Sequence, residues 1–191
     1  MCGRYYIDEE MASELDKLVL DLDRKIKGMV GDVKPTMNAP VIYNQDNHKK
    51  MGIFQWGFSN NKGLIINAKA ETAADKAIFR EPLLHRRCII PARGFYEWDS
   101  DKNKFEFTNK QKSIMYMAGI FRYEKENSKF VILTTEANLS MKSVHDRMPV
   151  ILGQNMLNPW LFDNSSTGDI LRAVPQELNK YSEMEQMRLE F

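Results

Sequence analysis

A succession of short β-rich segments through the middle of the chain constrains this fold more than any other feature. From Met37 to Leu152, runs of apolar and aromatic residues are separated by polar turns, and few stretches of helical periodicity interrupt them. A polar turn at 44–48 between two such runs is typical of a hairpin. The sequence therefore predicts an α+β fold in which a mostly antiparallel sheet curls into a barrel-like core with a few flanking helices.

The length of 191 residues suits one domain, which we expect to span 1–191. Within it, the composition of each apolar run and the turn residues around it predict individual strands. The predicted strands are 5–7, 41–43, 51–54, 64–66, 88–90, 95–98, 104–107, 113–121, 130–135 and 148–152.

Helical periodicity is clearest near the N-terminus. Asp8 has the position of an N-cap, Gly28 has that of a stop, and apolar residues recur between them at helical spacing, which predicts an amphipathic helix of about five turns. Its apolar positions are Met11, Leu15, Leu18, Leu22 and Ile26. Further helices are predicted over 72–85 and 155–162, with a short helix or turn over 138–144. The last part of the chain, to Phe191, is expected to be mostly loop with room for another strand.

The charges of the chain nearly cancel, with 27 basic and 26 acidic residues and a net charge of +1. Such a balance provides no global attraction for nucleic acid, so any binding of that kind requires a local basic patch. No apolar stretch approaches the roughly 18 residues of a membrane span, and no signal peptide is recognisable. The two cysteines, Cys2 and Cys88, form no disulfide framework, so a reducing cytoplasmic setting is expected, with nucleoid association if the source is bacterial.

Cys2 is the first candidate for chemistry. Methionine aminopeptidases remove Met1 when the second residue is small, and removal would leave Cys2 with a free α-amine beside its thiol. The two groups have ordinary pKa values of about 8 and about 8.5, so both are partly nucleophilic near neutral pH. Such a 1,2-aminothiol can form a Schiff base with an aldehyde and then close a thiazolidine ring. The alternative is an accidental cysteine at a frayed terminus, whereas Cys88 is interpreted as a buried small hydrophobe.

Three further polar residues interrupt otherwise apolar segments. Asn67 ends a predicted strand and could simply cap the next helix. Glu97 lies between aromatic residues of a strand whose alternation favours a solvent-facing carboxylate. His145 precedes Asp146 and Arg147 and could be structural. Zinc is not expected, because the chain has no closely spaced Cys and His pairs.

Cationic and apolar residues lie near these positions. Arg4, Lys69, Arg93 and Arg147 flank them in the sequence. Trp56 and Pro40 are placed in loops after strands, where an exposed indole could stack on a base.

These segments together resemble the SOS-response-associated peptidase (SRAP) family, whose animal members protect abasic sites in single-stranded DNA. The resemblance covers most of 1–150 in the order of the family, and its motifs are highly specific. The matching segments are Met1-Cys2-Gly3-Arg4-Tyr5, Asn38-Ala39-Pro40, Trp56-Gly57, Asn67-Ala68-Lys69-Ala70-Glu71-Thr72, Arg87-Cys88, Pro91-Ala92, Gly94-Phe95-Tyr96-Glu97-Trp98 and His145-Asp146-Arg147-Met148-Pro149.

The resemblance implies a role for each matching position. Cys2 becomes the crosslinking nucleophile, Asn67 positions it, and Glu97 and His145 handle protons. The residues implied in DNA contact are Arg4, Asn38, Pro40, Trp56, Lys69, Arg80 and Arg147, of which Arg4 and Arg147 would hold phosphates. Many family members have Arg where this chain has Lys69, which keeps the charge but loses the bidentate fork.

The function implied is covalent capture of abasic sites in single-stranded DNA by a monomeric protein without metal or organic cofactor, because the aldehyde of an open abasic sugar is already electrophilic. A cysteine peptidase remains the alternative, with Cys2 as thiolate, His145 as base and Glu97 as orienting acid, acting at least on the chain's own N-terminus. A third possibility is a plain nucleic-acid-binding module in which Cys2 is dispensable.

Overall fold

The computed structural model describes residues 2–15, 29–111, 113–124 and 127–182, and β-strands account for most of its regular structure. The strands are β1 Arg4–Ile7, β2 Gly31–Val33, β3 Asn38–Gln45, β4 His48–Trp56, β5 Phe58–Asn60, β6 Gly63–Ile65, β7 Asn67–Lys69, β8 Arg87–Ala92, β9 Gly94–Trp98, β10 Lys104–Asn109, β11 Met115–Arg122, β12 Lys129–Glu136, β13 Arg147–Pro149 and β14 Leu178–Tyr181. The helices are α1 Glu9–Leu15, α2 Ala77–His85, α3 Leu157–Phe162 and α4 Thr167–Arg172, with 3₁₀ turns at Ala70–Thr72 and Gln154–Met156.

The larger sheet closes on itself. Its strands run β11-β8-β3-β4-β12, and β12 pairs back with β11, so that Gly119 lies opposite Ile132. Most of these pairs are antiparallel, while β12 is parallel to β4 and β7. Closure removes the exposed edges of the ring. The prediction of an α+β fold with a curled, mostly antiparallel, barrel-like core is therefore confirmed.

Two strands of the closed sheet are buried along all or nearly all of their length. β8 and nearly all of β11 are buried, as expected for strands covered on both faces. Gly119 allows β11 to lie this close to its neighbour, because a Cβ atom there would stand 2.9 Å from the Val131 carbonyl oxygen. Cys88 is fully buried in this core, as predicted.

A second sheet carries the N-terminus, with the strand order β14-β10-β9-β1-β2. β1 is antiparallel to β9, with Arg4 opposite Tyr96, so the residues that follow Cys2 run beside the strand that holds Glu97. Asp8 caps α1, since the Met11 N–H donates to Asp8 Oδ1 at 2.8 Å. The cap and the buried positions Met11 and Leu15 confirm the start of the predicted helix. Its remaining apolar positions, Leu18, Leu22 and Ile26, and its stop at Gly28 lie outside the described residues.

Several predicted element boundaries are wrong. The strand over 64–66 is two strands, β6 and β7, on either side of Ile66. The helix over 72–85 is a 3₁₀ turn followed by α2, which begins only at Ala77. The strand over 148–152 is β13 with an isolated bridge at Ile151, and β14 is the further strand for which the last part of the chain had room. The helix α4 was missed because six residues show too little periodicity.

None of the helices in the part of the chain that the structure describes is long and apolar enough to span a membrane.

Candidate active site

Cys2 lies immediately before β1 and is completely buried. Asn67 Nδ2 donates a hydrogen bond of 3.0 Å to the Cys2 carbonyl oxygen across 65 residues of sequence. The backbone N–H of Arg4 donates to the Cys2 sulfur. Cys2 is therefore held at a defined place and does not lie on a frayed end.

Glu97 is also buried, with only 4% of its surface exposed. The prediction of a solvent-facing carboxylate is wrong, because the face of β9 that carries Phe95 and Glu97 is turned inward and the face with Tyr96 and Trp98 outward. Strand alternation correctly separated Glu97 from its neighbours but could not tell which face is buried. A buried carboxylate beside Cys2 is a group that can take or give a proton.

The environment of Cys2 disfavours its thiolate. Burial raises the pKa of the Cys2 thiol well above its ordinary value, and the negative charge of Glu97 raises it further. The hydrogen bond from the Arg4 N–H lowers the pKa by less than these two effects raise it. Both effects favour the neutral thiol over the thiolate.

Asn67 opens β7 rather than capping a helix. It pairs with Ile132, and the 3₁₀ turn and α2 that follow are capped by Lys69 and Lys76 without a side-chain hydrogen bond. The predicted N-cap role is therefore wrong. Within the described ranges, Asn67 Oδ1 and the Tyr5 hydroxyl are buried and have no hydrogen-bond partner. Asn67 thus holds the Cys2 carbonyl with its amide nitrogen, and its buried amide oxygen can accept a further hydrogen bond.

His145 lies in the turn before β13, partly exposed. Its Nδ1 accepts a hydrogen bond of 2.9 Å from the Arg147 N–H, which requires a lone pair on that nitrogen. Asp146 Oδ1 lies 2.8 Å from the same Nδ1, and that contact requires a proton there. The two contacts belong to different proton placements, and only the first leaves the proton of a neutral ring on Nε2.

Arg147 is buried and directed into the protein. Its Nη1 and Nη2 donate to Glu71 Oε1 and Oε2, both at 2.8 Å, and Nη2 also donates to the Thr134 carbonyl oxygen at 2.6 Å. The Arg147 guanidinium lowers the pKa of the Glu71 carboxyl below its ordinary value. The fork that the sequence assigned to a DNA phosphate is therefore occupied by a carboxylate of the chain itself.

The other cations predicted to contact DNA differ in their exposure. Arg4 is partly exposed, 3.6 Å from Asp32, with its guanidinium over the Trp98 ring. Lys69 is exposed at the end of β7. Arg80 lies on α2 and donates to the carbonyl oxygens of Ala74 and Asp75, which close the preceding turn. Asn38 is exposed at the start of β3, and Arg93 binds Asp8 and Glu14 instead of lying at this site.

The prediction of an exposed indole at Trp56 is wrong. Trp56 ends β4, is completely buried, and donates from Nε1 to the Ile66 carbonyl oxygen at 2.9 Å. Its ring stacks on Phe130 and contacts Tyr5. Pro40 is likewise buried, inside β3 rather than in a loop. Both residues support the core beneath the site and present no surface to a base.

Sequence reasoning gave no role to two further residues of this region, Trp98 and Glu71. Trp98 is partly exposed on the outer face of β9, next to Glu97 in the chain and beneath Arg4. Glu71 engages Arg147. The alternation of β9 already separated Trp98 from Glu97, whereas no local pattern pairs Glu71 with a residue 76 positions away.

In the described ranges, no group of three or more His, Cys, Asp or Glu side chains could hold a metal ion.

Comparison with known proteins gives one consistent family. The family model described as SOS response associated peptidase (SRAP) matches residues 1–189. The abasic site processing protein YoaM of Bacillus subtilis is 34% identical, over 91% of this chain and 85% of its own length. The abasic site processing protein YedK of Escherichia coli is 28% identical, over 84% of this chain and 79% of its own length.

Solved structures agree on the fold. A protein from Bacteroides thetaiotaomicron superposes with a TM-score of 0.80 at 22% identity, covering 95% of this chain and 91% of its own. A protein from Bordetella bronchiseptica superposes with a TM-score of 0.79 at 21% identity, covering 95% of this chain and 99% of its own.

Proposed function

Because this chain belongs to the SOS response associated peptidase family, we propose that it captures abasic sites in single-stranded DNA as a covalent thiazolidine on Cys2. The relatives named abasic site processing proteins point to the damaged DNA. The observation that carries the proposal is the convergence of Asn67 and Glu97 on Cys2 from distant parts of the chain.

The first step uses the amine that Met1 removal creates. Neutral Cys2 nitrogen attacks C1′ of the ring-opened deoxyribose, and the aldehyde oxygen leaves as water, which gives an iminium ion. Asn67 Oδ1, a buried acceptor on the side chain that already holds the Cys2 carbonyl, is suited to orient this amine. Glu97 accepts a proton from the nitrogen as attack proceeds and returns it to the carbinolamine oxygen, which takes a second proton from solvent and leaves as water.

The second step closes the ring. The Cys2 sulfur adds to C1′ of the iminium ion, a C–S bond forms, and the thiol proton passes to Glu97. One water is released overall, and no oxidant or cofactor is consumed. The neutral thiol suits this order, because an iminium ion is more electrophilic than an aldehyde and needs no preformed thiolate. His145, with its proton on Nε2, is assigned to protonating the sugar oxygen during ring opening.

The cysteine peptidase alternative is disfavoured by the same environment. A peptidase needs Cys2 as a thiolate with a lowered pKa, whereas burial and Glu97 raise the pKa of this thiol. When the amine attacks first, no thiolate has to form before the reaction begins.

We assign DNA binding to the surface beside Cys2. Arg4 and Lys69 supply positive charge, and the partly exposed Trp98 offers a ring edge on which a base can pack. An unpaired abasic nucleotide reaches the site without the cost of opening a duplex. This explains how a chain of net charge +1 can bind DNA locally.

The test compares the wild type with Cys2→Ser and Cys2→Ala on abasic and intact single-stranded oligonucleotides. Intact mass should first show that Met1 is absent. We expect a heat-stable adduct with abasic DNA for the wild type only. Cys2→Ser should still give a Schiff base that borohydride traps. A mature protein that keeps Met1, or a Cys2→Ala variant that protects abasic DNA as well as the wild type, would exclude the covalent mechanism.

A further inference from the structure

The contacts of Arg147 link two segments that the proposed reaction must hold together. Glu71 follows β7, which begins with Asn67, and Arg147 begins β13, two residues after His145. Both strands pair with β12, where Thr134 lies opposite Lys69 of β7 and Pro149 of β13. The Glu71–Arg147 ion pair therefore connects the segment that holds Cys2 to the segment that carries the histidine.

We propose that Glu71 is a positioning residue of the crosslinking reaction, acting through Arg147 on His145. This inference rests on the proposed function. Glu71 accepts one bond from each Nη atom of Arg147, and Thr134 O accepts a further bond from Nη2, so the guanidinium is fixed in its plane. A bidentate pair of this kind adds geometric precision that a single hydrogen bond lacks.

The effect reaches the histidine through the Arg147 backbone. The same residue whose side chain Glu71 fixes donates its N–H to His145 Nδ1 at 2.9 Å. That bond keeps the proton of the neutral ring on Nε2, whereas the competing contact with Asp146 Oδ1 requires the proton on Nδ1. Glu71 thus favours the tautomer that can donate from Nε2.

Glu71→Gln is the direct test, because Gln keeps the size of the side chain but has one acceptor for the two Nη donors. Glu71→Asp keeps the charge on a shorter side chain, so its crosslinking rate should lie between those of Glu71→Gln and the wild type. Glu136→Gln is the matched control: it removes an exposed carboxylate that lies opposite Arg147 in the β12–β13 ladder. All variants are first compared with the wild type by thermal unfolding.

The kinetic measurement is the single-turnover crosslinking rate with saturating abasic single-stranded DNA. We expect Glu71→Gln to lower this rate by about 10- to 100-fold, the scale of a small misplacement of a reacting group, with an affinity for intact DNA within about twofold of the wild type. Glu71→Gln and Arg147→Gln should be non-additive, because they remove one unit. An unchanged crosslinking rate would overturn the proposal. Tighter DNA binding without a slower rate would also overturn it, because Glu71 would then only compete with DNA phosphate for Arg147.

A measurement without DNA separates this inference from the proposed function. The ¹⁵N shifts of the His145 ring in the free protein report its tautomer. We expect the wild type and Glu136→Gln to show the proton on Nε2, and Glu71→Gln to shift toward Nδ1. Identical shifts in all three proteins would reject the positioning role even if the wild type forms adducts. If Glu71→Gln shifts the tautomer but the wild type forms no adduct, the proposed function alone is rejected.

Discussion

At the scale of single residues, burial decides what Cys2 can do. An exposed cysteine would be partly thiolate near neutral pH, but burial and the charge of Glu97 raise the pKa of the Cys2 thiol. The α-amine that Met1 removal would create is then the stronger candidate for first attack. The role of Glu97 follows from this order, since the amine must lose a proton before or during attack.

Glu97→Gln tests that role through the dependence of the crosslinking rate on pH. At pH 7 an amine of ordinary pKa, about 8, is mostly protonated, so loss of a positioned base should slow the adduct by about 10²- to 10⁴-fold. Raising the pH toward 9 deprotonates the amine in solvent and should partly rescue Glu97→Gln.

The control for this prediction is His145→Ala, which lacks the group assigned to the sugar oxygen. High pH should raise the crosslinking rate of His145→Ala much less, because this variant lacks the group for the sugar oxygen and keeps the base for the amine. Single-turnover rates from about pH 6 to 9 with saturating DNA measure both profiles. Profiles of identical shape, or a wild-type rate for Glu97→Gln, would contradict the assignment.

At the scale of elements, strand ends determine which cations remain available to DNA. Lys69 ends β7 and is exposed, and Arg4 begins β1 on the outer face of its sheet. Arg147 begins β13 with its side chain turned inward to Glu71. Equal charges in one neighbourhood are therefore unequal in their access to phosphate.

The salt dependence of single-stranded DNA binding should reflect this difference. Each lost phosphate contact reduces the slope of log K against log salt by about 0.7, so Arg4→Gln and Lys69→Gln should each show roughly that change. Arg147→Gln should change the slope by clearly less. Lys110→Gln is the control, since Lys110 pairs with Glu177 at the β10–β14 end of the sheet. A reduction of about 0.7 in Arg147→Gln would place its guanidinium on DNA instead.

At the scale of the whole molecule, the closed sheet separates the aromatic residues into core and surface. Trp56 is completely buried between Tyr5 and Phe130, beneath the N-terminal strand. Trp98 is on the outer face of the second sheet, under Arg4. Tryptophan therefore stabilises the fold at position 56 and is partly available to a ligand at position 98.

Alanine substitutions at the two tryptophans should give opposite results. Trp56→Ala removes a fully buried ring and should lower the free energy of unfolding by about 3–5 kcal/mol. Trp98→Ala should change stability far less but weaken single-stranded DNA binding, by about 1–3 kcal/mol if the ring stacks on a base. Denaturant unfolding and DNA titration of both variants measure this, and weaker binding in a fully stable Trp56→Ala protein would contradict the division.

The sequence by itself determined the features that depend on local pattern or covalent order. The turns and alternating apolar runs predicted the β-rich α+β fold, Asp8 marked the start of α1, and the position of Cys2 beside Met1 is the basis for proposing the aminothiol. The motif around Asn67, Glu97 and His145 indicated the family. Each of these follows from residues that are neighbours in the chain.

Only the tertiary structure decided which face of a strand is buried and which distant groups pair. Alternation separates Glu97 from Trp98 but is symmetric between inside and outside, so the inward face of Glu97 had to come from the packing of β9. Trp56 is buried because Tyr5 of the second sheet and Phe130 of β12 pack against its ring. Arg147 binds Glu71 rather than solvent because β12 brings their two strands to its opposite edges. Such pairings depend on strand order, and no local sequence signal encodes it.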